Sequence, residues 1–401
     1  MNAITKNLLL GLATALFFSA FIYFEEYDLT NKTLNTLFAL IALALFLYIP
    51  KRAVLVAGFF IGLFWFYWIG YSFEYQGVGY MTPLITLSFG FVYLLFFLPL
   101  YFTDKPYIRA MMLFALSFFE PFDWNWLQIE LLFVDSYIGV YKYQLAIVLA
   151  ALSLPYFLKA KMKYAPLLLL LLALDHGYPE QKDAPLKIKL IQTEITQDYK
   201  WTREALTPTV TMIFDEIHTA VKEKYDAVVF PESVFPLYMN KNPKLIKQLL
   251  VASQEITIVA GSLLLENNKN YNVTYIFENG TYKTAKKLVL VPFGEYIPLP
   301  KFARKIINDT FFSGASDFIT AKEATDFTIK DVTFRNAICY EATCQELYEG
   351  DVSFIIATSN NAWFAPSIEP TLQKLLLRYY GRKNGVTIYH AANYKGSGII
   401  K

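Results

Sequence analysis

Hydrophobic and polar positions follow two different rules along this chain. As far as residue 174 the apolar residues come in long unbroken runs; from residue 181 onward they come in short runs separated by polar, helix-like stretches. A helix that crosses a bilayer needs about 20 consecutive apolar residues. Runs at 7–24, 34–49, 53–71, 83–102 and 141–158 predict five such spans. Shorter runs at 110–119 and 165–174 predict two more, which need tilted neighbours or flanking aromatics to fit the bilayer. The first run lacks a small-residue cleavage pattern and further spans follow it, so it reads as a span and not as a removable leader.

The charges between the runs alternate. Lys6 precedes the first span, Lys51 and Arg52 follow the second, Lys105 and Arg109 the fourth, and Lys159, Lys161 and Lys163 the sixth. The other loops carry Glu25, Glu26 and Asp28, then Glu74, then Glu120 and Asp123. By the positive-inside rule this predicts an inside N-terminus and, after seven spans, an outside C-terminal half. The predicted division is a transmembrane domain at 1–175 and an extracytoplasmic domain at 176–401. The stretch 120–128, rich in aromatics beside carboxylates, reads as an interfacial aromatic belt or, more sharply, as a lip that admits lipid.

Composition changes this picture little. The chain of 401 residues is 55% hydrophobic and 17% aromatic, with 17% charged residues against about 25% in soluble domains. Its net charge of +2 is spread out with no basic stripe, which argues against nucleic acid as a partner. Two cysteines, Cys339 and Cys344, exclude a disulfide scaffold and a Cys₄ zinc site. The three histidines (His176, His218 and His390) show no metal-ligand spacing, and nothing calls for a cofactor.

In the C-terminal half, β-branched runs at 188–191, 227–230, 257–265, 288–291, 332–338 and 353–357 predict strands. Segments 201–222, 243–253 and 369–383 predict helices, and the interleaving predicts a layered α/β domain. Reactive residues sit at three of the predicted strand ends. Glu232 follows Phe230-Pro231, where a partly desolvated carboxylate can act as a general base or simply start a helix. Lys286 and Lys287 open the run that leads to Glu295; either lysine is a solvated strand end, or a fixed cation able to stabilise an oxyanion. Cys339 ends a strand and is followed by Tyr340-Glu341, a layout similar to a nucleophile elbow, although a lone cysteine is more often packed core. Base, cation and thiol together form the set that covalent acyl chemistry needs. His390 has no clear orienting acid and reads as packing, and Cys344 as a core thiol.

With those residues in hand, the chain resembles the apolipoprotein N-acyltransferases, a membrane-embedded branch of the nitrilase (carbon–nitrogen hydrolase) superfamily. Phe230-Pro231-Glu232 is similar to the segment holding the family's base, and Leu290 to Glu295 (Leu-Val-Pro-Phe-Gly-Glu) to a signature of this branch with Glu295 as its additional acid. The family's lysine lies eight residues before that acid, which selects Lys287 over Lys286. Ile338-Cys339-Tyr340-Glu341 resembles the nucleophile motif, with Tyr340 and Glu341 shaping the site, and Lys200-Trp201 the segment ending in a functional tryptophan, Trp201. Ser359 to Phe364 matches the family's Ser-Asn-Asp-Ala-Trp-Phe run with Asn361 in place of Asp.

The resemblance implies a polytopic α-helical membrane domain joined to an αββα nitrilase-like sandwich, in a bacterial inner membrane with the catalytic domain on the periplasmic side. It implies that Cys339 takes a fatty acyl chain from a phospholipid, phosphatidylethanolamine being the expected donor. The chain then passes to the α-amine of a diacylglyceryl-cysteine on a lipoprotein. It also implies further strands and a last transmembrane helix, and this sequence ends at Lys401 before either. A membrane-bound amidase using the same triad, or an inactive membrane scaffold, are the alternatives.

Overall fold

The apolar runs of the N-terminal half form helices, the first five of which start at asparagine or proline. In the computed structural model, which describes residues 2–292, 294–296 and 318–401, these are α1 (Ala3–Glu26), α2 (Lys32–Tyr48), α3 (Lys51–Phe66), α4 (Thr82–Phe96), α5 (Pro106–Leu116) and α6 (Lys142–Ser153). Asn2 and Asn31 cap α1 and α2 by accepting the orphan amides of Thr5 and of Thr33 and Leu34. Pro50, Pro83 and Pro106 stand at the starts of α3, α4 and α5, where a missing N–H costs nothing. Among the described residues three helical stretches are long and apolar enough to cross a membrane: Ala3–Glu26, Lys51–Gln76 and Gly79–Phe96. Lys32–Tyr48, Pro106–Leu116 and Lys142–Phe157 are shorter apolar helices.

The two weak runs differ from the expectation in instructive ways. The run at 165–174 belongs to a 3₁₀ helix, Ala160–Ala173, with Pro166 inside it. Proline removes an i→i−4 donor, and the 3₁₀ rise of about 2 Å per residue carries these 14 residues through roughly 28 Å. Lys161 and Lys163 stand near its start, so the apolar part at 165–173 rises roughly 18 Å, less than the hydrocarbon thickness of about 30 Å. The run at 110–119 is α5, whose 11 residues rise only about 17 Å.

Small residues let α3 and α4 approach. A Cβ on Gly58 or Gly62 would lie 2.8 Å from the Tyr93 carbonyl oxygen or 2.3 Å from that of Phe89, the close backbone contact that membrane helix pairs favour. Arg109 is buried and donates to the carbonyls of Phe46, Leu47, Ile49, Leu100 and Thr103, closing the C-terminal end of α2. The stretch 120–128 is less of an outward belt than expected: Asn125, Trp126 and Gln128 are buried, and the Trp126 ring lies 5.4 Å from Trp68 and 5.2 Å from Trp124. Phe122 is its exposed aromatic.

The chain divides into two compact units, Met1–Gly177 with Ser367–Leu375, and Tyr178–Pro366 with Leu376–Lys401. Within the first, Lys374 Nζ lies 2.9 Å from Glu25 Oε1 and the Thr371 hydroxyl donates to Glu26.

The second unit holds two five-stranded sheets. One runs β1 (Ile188–Leu190), β2 (Ala227–Val229), β3 (Thr257–Glu266), β4 (Lys269–Glu278), β5 (Thr281–Lys286). The other is ordered β10 (Gly398–Ile400), β9 (Thr387–Asn393), β8 (Phe354–Asn360), β7 (Val332–Ile338), β6 (Asp326–Ile329). In each sheet three parallel strands adjoin antiparallel ones. Val229, Val259, Ile276 and Ala285 of the first sheet share one apolar cluster with Phe334, Ile356, Tyr389 and Ala391 of the second, so the sheets pack face to face.

The outer face of the first sheet is covered by α8 (Arg203–Lys222) and α9 (Pro243–Ala252), through Ile213, Ile217 and Leu249. Helix α10 (Glu369–Asn384) sets Gly381 against Ile388 of β9. The result is the αββα arrangement. The predicted helix 201–222 begins earlier, as the short α7 (Gln197–Lys200), and restarts at Thr202, which caps α8 by accepting from Ala205 N.

One predicted strand is absent. Residues 288–291 are not in a sheet, because the Leu288 and Val289 amides donate to the Glu341 carboxylate, at 2.6 and 3.0 Å, instead of to a neighbouring strand. Within the motif 290–295, Phe293 lies outside the described residues.

Candidate active site

Both sheets contribute to one polar cluster. Glu232 stands just past β2, held by a turn that folds back onto β3: Phe230 N donates to Val259 O, and Phe235 N to Gly261 O. Ser233 takes a positive φ of 49° in that turn. Gly261 makes the approach possible, since a Cβ there would sit 2.7 Å from Glu232 Cα and 2.4 Å from Ser233 N. The Glu232 side chain is buried, and its oxygens accept from Asn272 Nδ2 at 2.7 Å and from Asn360 N at 3.0 Å. Asn272 belongs to β4 and Asn360 ends β8, so the carboxylate is clamped from both sheets.

Lys287 follows β5. It is 1% exposed, 2.7 Å from Glu295 Oε2 and 4.0 Å from Glu232 Oε1. Burial alone would lower its pKa, but Glu295, Glu232 and Cys339 more than offset that and hold the ammonium charged. Lys286, its neighbour, lies in β5 and pairs with Glu266 on the strand surface. Side chains alternate between faces along an extended chain, and only Lys287 faces the carboxylates. Glu295 also accepts from Val291 N at 2.9 Å, which closes the turn that presents it.

Cys339 follows β7 and opens a short 3₁₀ turn, Cys339–Thr343, with a positive φ of 57°. A β-carbon in that region is strained, and such strain clusters where a side chain must be aimed. Glu341 fixes this turn. Its carboxylate accepts from Ile338 N at 2.7 Å as well as from Leu288 and Val289, tying the cysteine turn to the segment that carries Lys287. Burial pushes the Glu341 carboxyl up to about 7, with Lys287 and these three amides pulling it back. Tyr340 is buried beside it, and its carbonyl accepts from Thr343 Oγ1 at 2.7 Å. Cys344 is buried with its thiol 3.6 Å from the Tyr340 carbonyl, and the two cysteines are not joined in a disulfide.

Trp201 is 45% exposed at the end of α7, next to the buried Lys200. His390 is buried, its Nε2 2.8 Å from Ser359 Oγ and its Nδ1 2.9 Å from the Gly396 carbonyl. Burial lowers its pKa to about 4, so it packs as a neutral ring. The Asn361 amide donates to Lys395 O at 2.9 Å, a bond that a carboxylate at this position could not make.

Sequence reasoning did not single out Asn272, Asn360 or Lys200. Asn272 lies in a strand that the pattern did not reveal, and Asn360 and Lys200 lie in segments read for their neighbours, so none of the three carries a signal of its own. The cluster brings together a clamped carboxylate, a buried cation and a thiol within their electrostatic reach, the set of groups that covalent acyl chemistry uses.

Residues 5–176 match the family model described as the apolipoprotein N-acyltransferase integral membrane domain. The apolipoprotein N-acyltransferase of Wolinella succinogenes is 42% identical over 397 residues, covering 98% of this chain and 96% of that one. That of Helicobacter pylori is 38% identical, covering 94% and 90%. Among solved structures, a CN-hydrolase superfamily protein from Xanthomonas campestris, with an arsenic adduct in its active site, aligns at a TM-score of 0.40 and 13% identity over 52% of this chain and 76% of that one. The fold assignment rests on the strand order and core described above.

Proposed function

The chain belongs to the apolipoprotein N-acyltransferase family and is a membrane acyltransferase, and we propose that Glu232, Lys287 and Cys339 carry its reaction. The observation behind this reading is the placement of Lys287, buried between Glu232 and Glu295 and electrostatically coupled to Cys339. Glu232 takes the Cys339 proton, and the thiolate attacks an ester carbonyl of a phospholipid. The C–O bond breaks, the lysophospholipid oxygen takes the proton from Glu232, and a thioester remains. The α-amine of a diacylglyceryl-cysteine then attacks the thioester. Glu232 accepts the amine proton and returns it to the departing Cys339 sulfur.

Lys287 Nζ stabilises the oxyanion of each tetrahedral intermediate, with backbone amides near Cys339 as further donors. Losing one such donor typically costs about 10²–10³ in rate. Glu295 positions Lys287, Glu341 and Tyr340 shape the cysteine turn, and the exposed Trp201 offers an aromatic face to an acyl chain. Phosphatidylethanolamine is the proposed donor. The proposed location is the bacterial inner membrane, with residues 176–401 on the periplasmic side, which the alternation of loop charges favours.

Incubation of the detergent-purified protein with phosphatidylethanolamine, followed by intact mass spectrometry, tests the mechanism. The expected result is a hydroxylamine-labile adduct of one fatty-acyl mass, absent from Cys339→Ala and discharged by a diacylated lipopeptide. Full activity in Cys339→Ala refutes the scheme. A reporter fused after Asp183 that works only in the cytoplasm refutes the orientation.

A further inference from the structure

Beneath the proposed base lies a second lysine that the mechanism above does not use. Lys200 ends α7 and is 2% exposed. Its Nζ donates to the backbone carbonyl of Glu232 at 3.0 Å and lies 3.3 Å from the Asn360 carboxamide. Burying an ammonium is costly unless charge nearby offsets the lost hydration. A neutral glutamine could donate to the same carbonyl without that cost. The residues around it indicate what the charge is for.

Facing Lys200 are Glu232 past β2, Cys339 past β7, and the neutral Gln197 and Asn360; beyond Glu232 stand Lys287 and Glu295, and Glu341 lies in the cysteine turn. Two carboxyl groups, Glu232 and Glu295, face Lys287, and Glu341 is a third in the cysteine turn, so without Lys200 a single cation serves three acidic groups and the thiol. The Lys200 ammonium is the second cation among them. When the proton passes from Cys339 to Glu232 the total charge is unchanged, so the thiolate forms beside two buried ammonium groups and not one.

We propose that Lys200 is a positioning residue whose buried ammonium anchors the Glu232 turn and supplies the second fixed positive charge that makes the Cys339 thiolate accessible at neutral pH. This rests on the reading of Cys339 as nucleophile. Burial is the main influence on Lys200 and lowers its pKa to about 8, with Glu232 and Cys339 acting to raise it. The charge is therefore present at neutral pH and is lost as the medium turns alkaline.

The test is the pH dependence of Cys339 alkylation by iodoacetamide in the full-length protein in detergent, followed by peptide mapping so that Cys344 is scored separately. In Lys200→Gln, which keeps a donor for the Glu232 carbonyl, the alkylation midpoint moves up by about one pH unit, leaving roughly tenfold less thiolate at pH 7. Acyl-enzyme formation slows to match. A Lys200→Gln midpoint equal to wild type overturns the proposal and leaves Lys200 as a hydrogen-bond donor only.

If Lys200→Gln does not fold, Lys200→Arg decides the question. It keeps its charge at high pH, so acyl-enzyme formation persists above pH 8 where the wild-type rate declines; superimposed profiles overturn the proposal. Wild-type Cys339 that reacts no faster than a free thiol at every pH refutes the nucleophile assignment itself, a result distinct from either Lys200 outcome.

Discussion

Gly261 is far from any reacting atom in sequence, yet the geometry makes it a sensitive probe of the base. It lies in β3, in a backbone conformation open to alanine, so Gly261→Ala introduces no strain of its own. What it introduces is a methyl group 2.7 Å from Glu232 Cα, 2.8 Å from Glu232 C and 2.4 Å from Ser233 N. Carbon atoms prefer about 3.5–4.0 Å. The turn past β2 must therefore retreat by roughly 0.7–1 Å, and all three close contacts are backbone that cannot rotate away.

Glu232 is held by bonds of 2.7 and 3.0 Å to Asn272 and Asn360 and stands 4.0 Å from Lys287, so a retreat of that size breaks at least one contact. A misplacement of about 1 Å costs on the order of 10²-fold in rate, whereas overpacking of this kind costs about 1–3 kcal/mol in stability. The expected variant is folded but slow: about a hundredfold lower turnover per folded monomer, with only a modest fall in Tm. Turnover is measured with phospholipid and a diacylated lipopeptide, on the monomer peak from size exclusion. Turnover within threefold of wild type would show that Glu232 tolerates displacement, and would refute the argument that this turn sets the position of the base.

Three other substitutions probe the surroundings. Asn272→Ala removes the 2.7 Å donor to Glu232 Oε1, and a hydrogen bond to a charged group contributes about 1.5–3 kcal/mol. Turnover is expected to fall roughly 10- to 100-fold with KM for lipid little changed, as steady-state kinetics will check. Asn361→Asp exchanges the donor to the Lys395 carbonyl for a buried carboxylate facing it, so a loss of about 2 kcal/mol is expected in denaturation.

His390→Gln tests pH linkage. The native ring, lowered to about 4, resists protonation that the unfolded chain accepts near 6.5. Its contribution is therefore present above pH 6.5 and lost as pH falls toward 4, about 3 kcal/mol in all. The stability gap between wild type and His390→Gln should narrow by about that amount on acidification over this interval. Glu341, raised to about 7, acts with the opposite sign over nearly the same interval in both proteins, favouring the fold at low pH and losing that as pH rises from 4.5. It cancels in the difference.

What the sequence made legible is what depends on local pattern. The long apolar runs gave their helices away, and β2, β3, β7 and β8 announced themselves because β-branched residues gather where a strand is buried on both faces. The strands that went unread are polar by composition. Residues 269–278 interleave Lys, two Asn and Thr with aromatics, and 387–393 carry His390 and Asn393, because these strands bring polar side chains to the site end of the sandwich. The same cause produced the false strand at 288–291: its apolar pattern is genuine, but its amides serve the Glu341 carboxylate, a tertiary contact 52 and 53 residues away along the chain.

Site residues divide in the same way. Glu232, Glu295 and Cys339 stood out because each follows a readable motif, whereas Asn272, Asn360 and Lys200 acquire their roles only when two sheets meet. Lys200 is the extreme case. Beside Gln197, Asp198 and Tyr199 it has the pattern of a solvated turn, and only the fold carries it beneath the Glu232 carbonyl. A residue whose function is to hold charge at a buried point leaves no periodic trace, since the cost of burying it is borne by partners far off in sequence. Such residues are found by asking which buried charges the local hydrogen bonds do not explain.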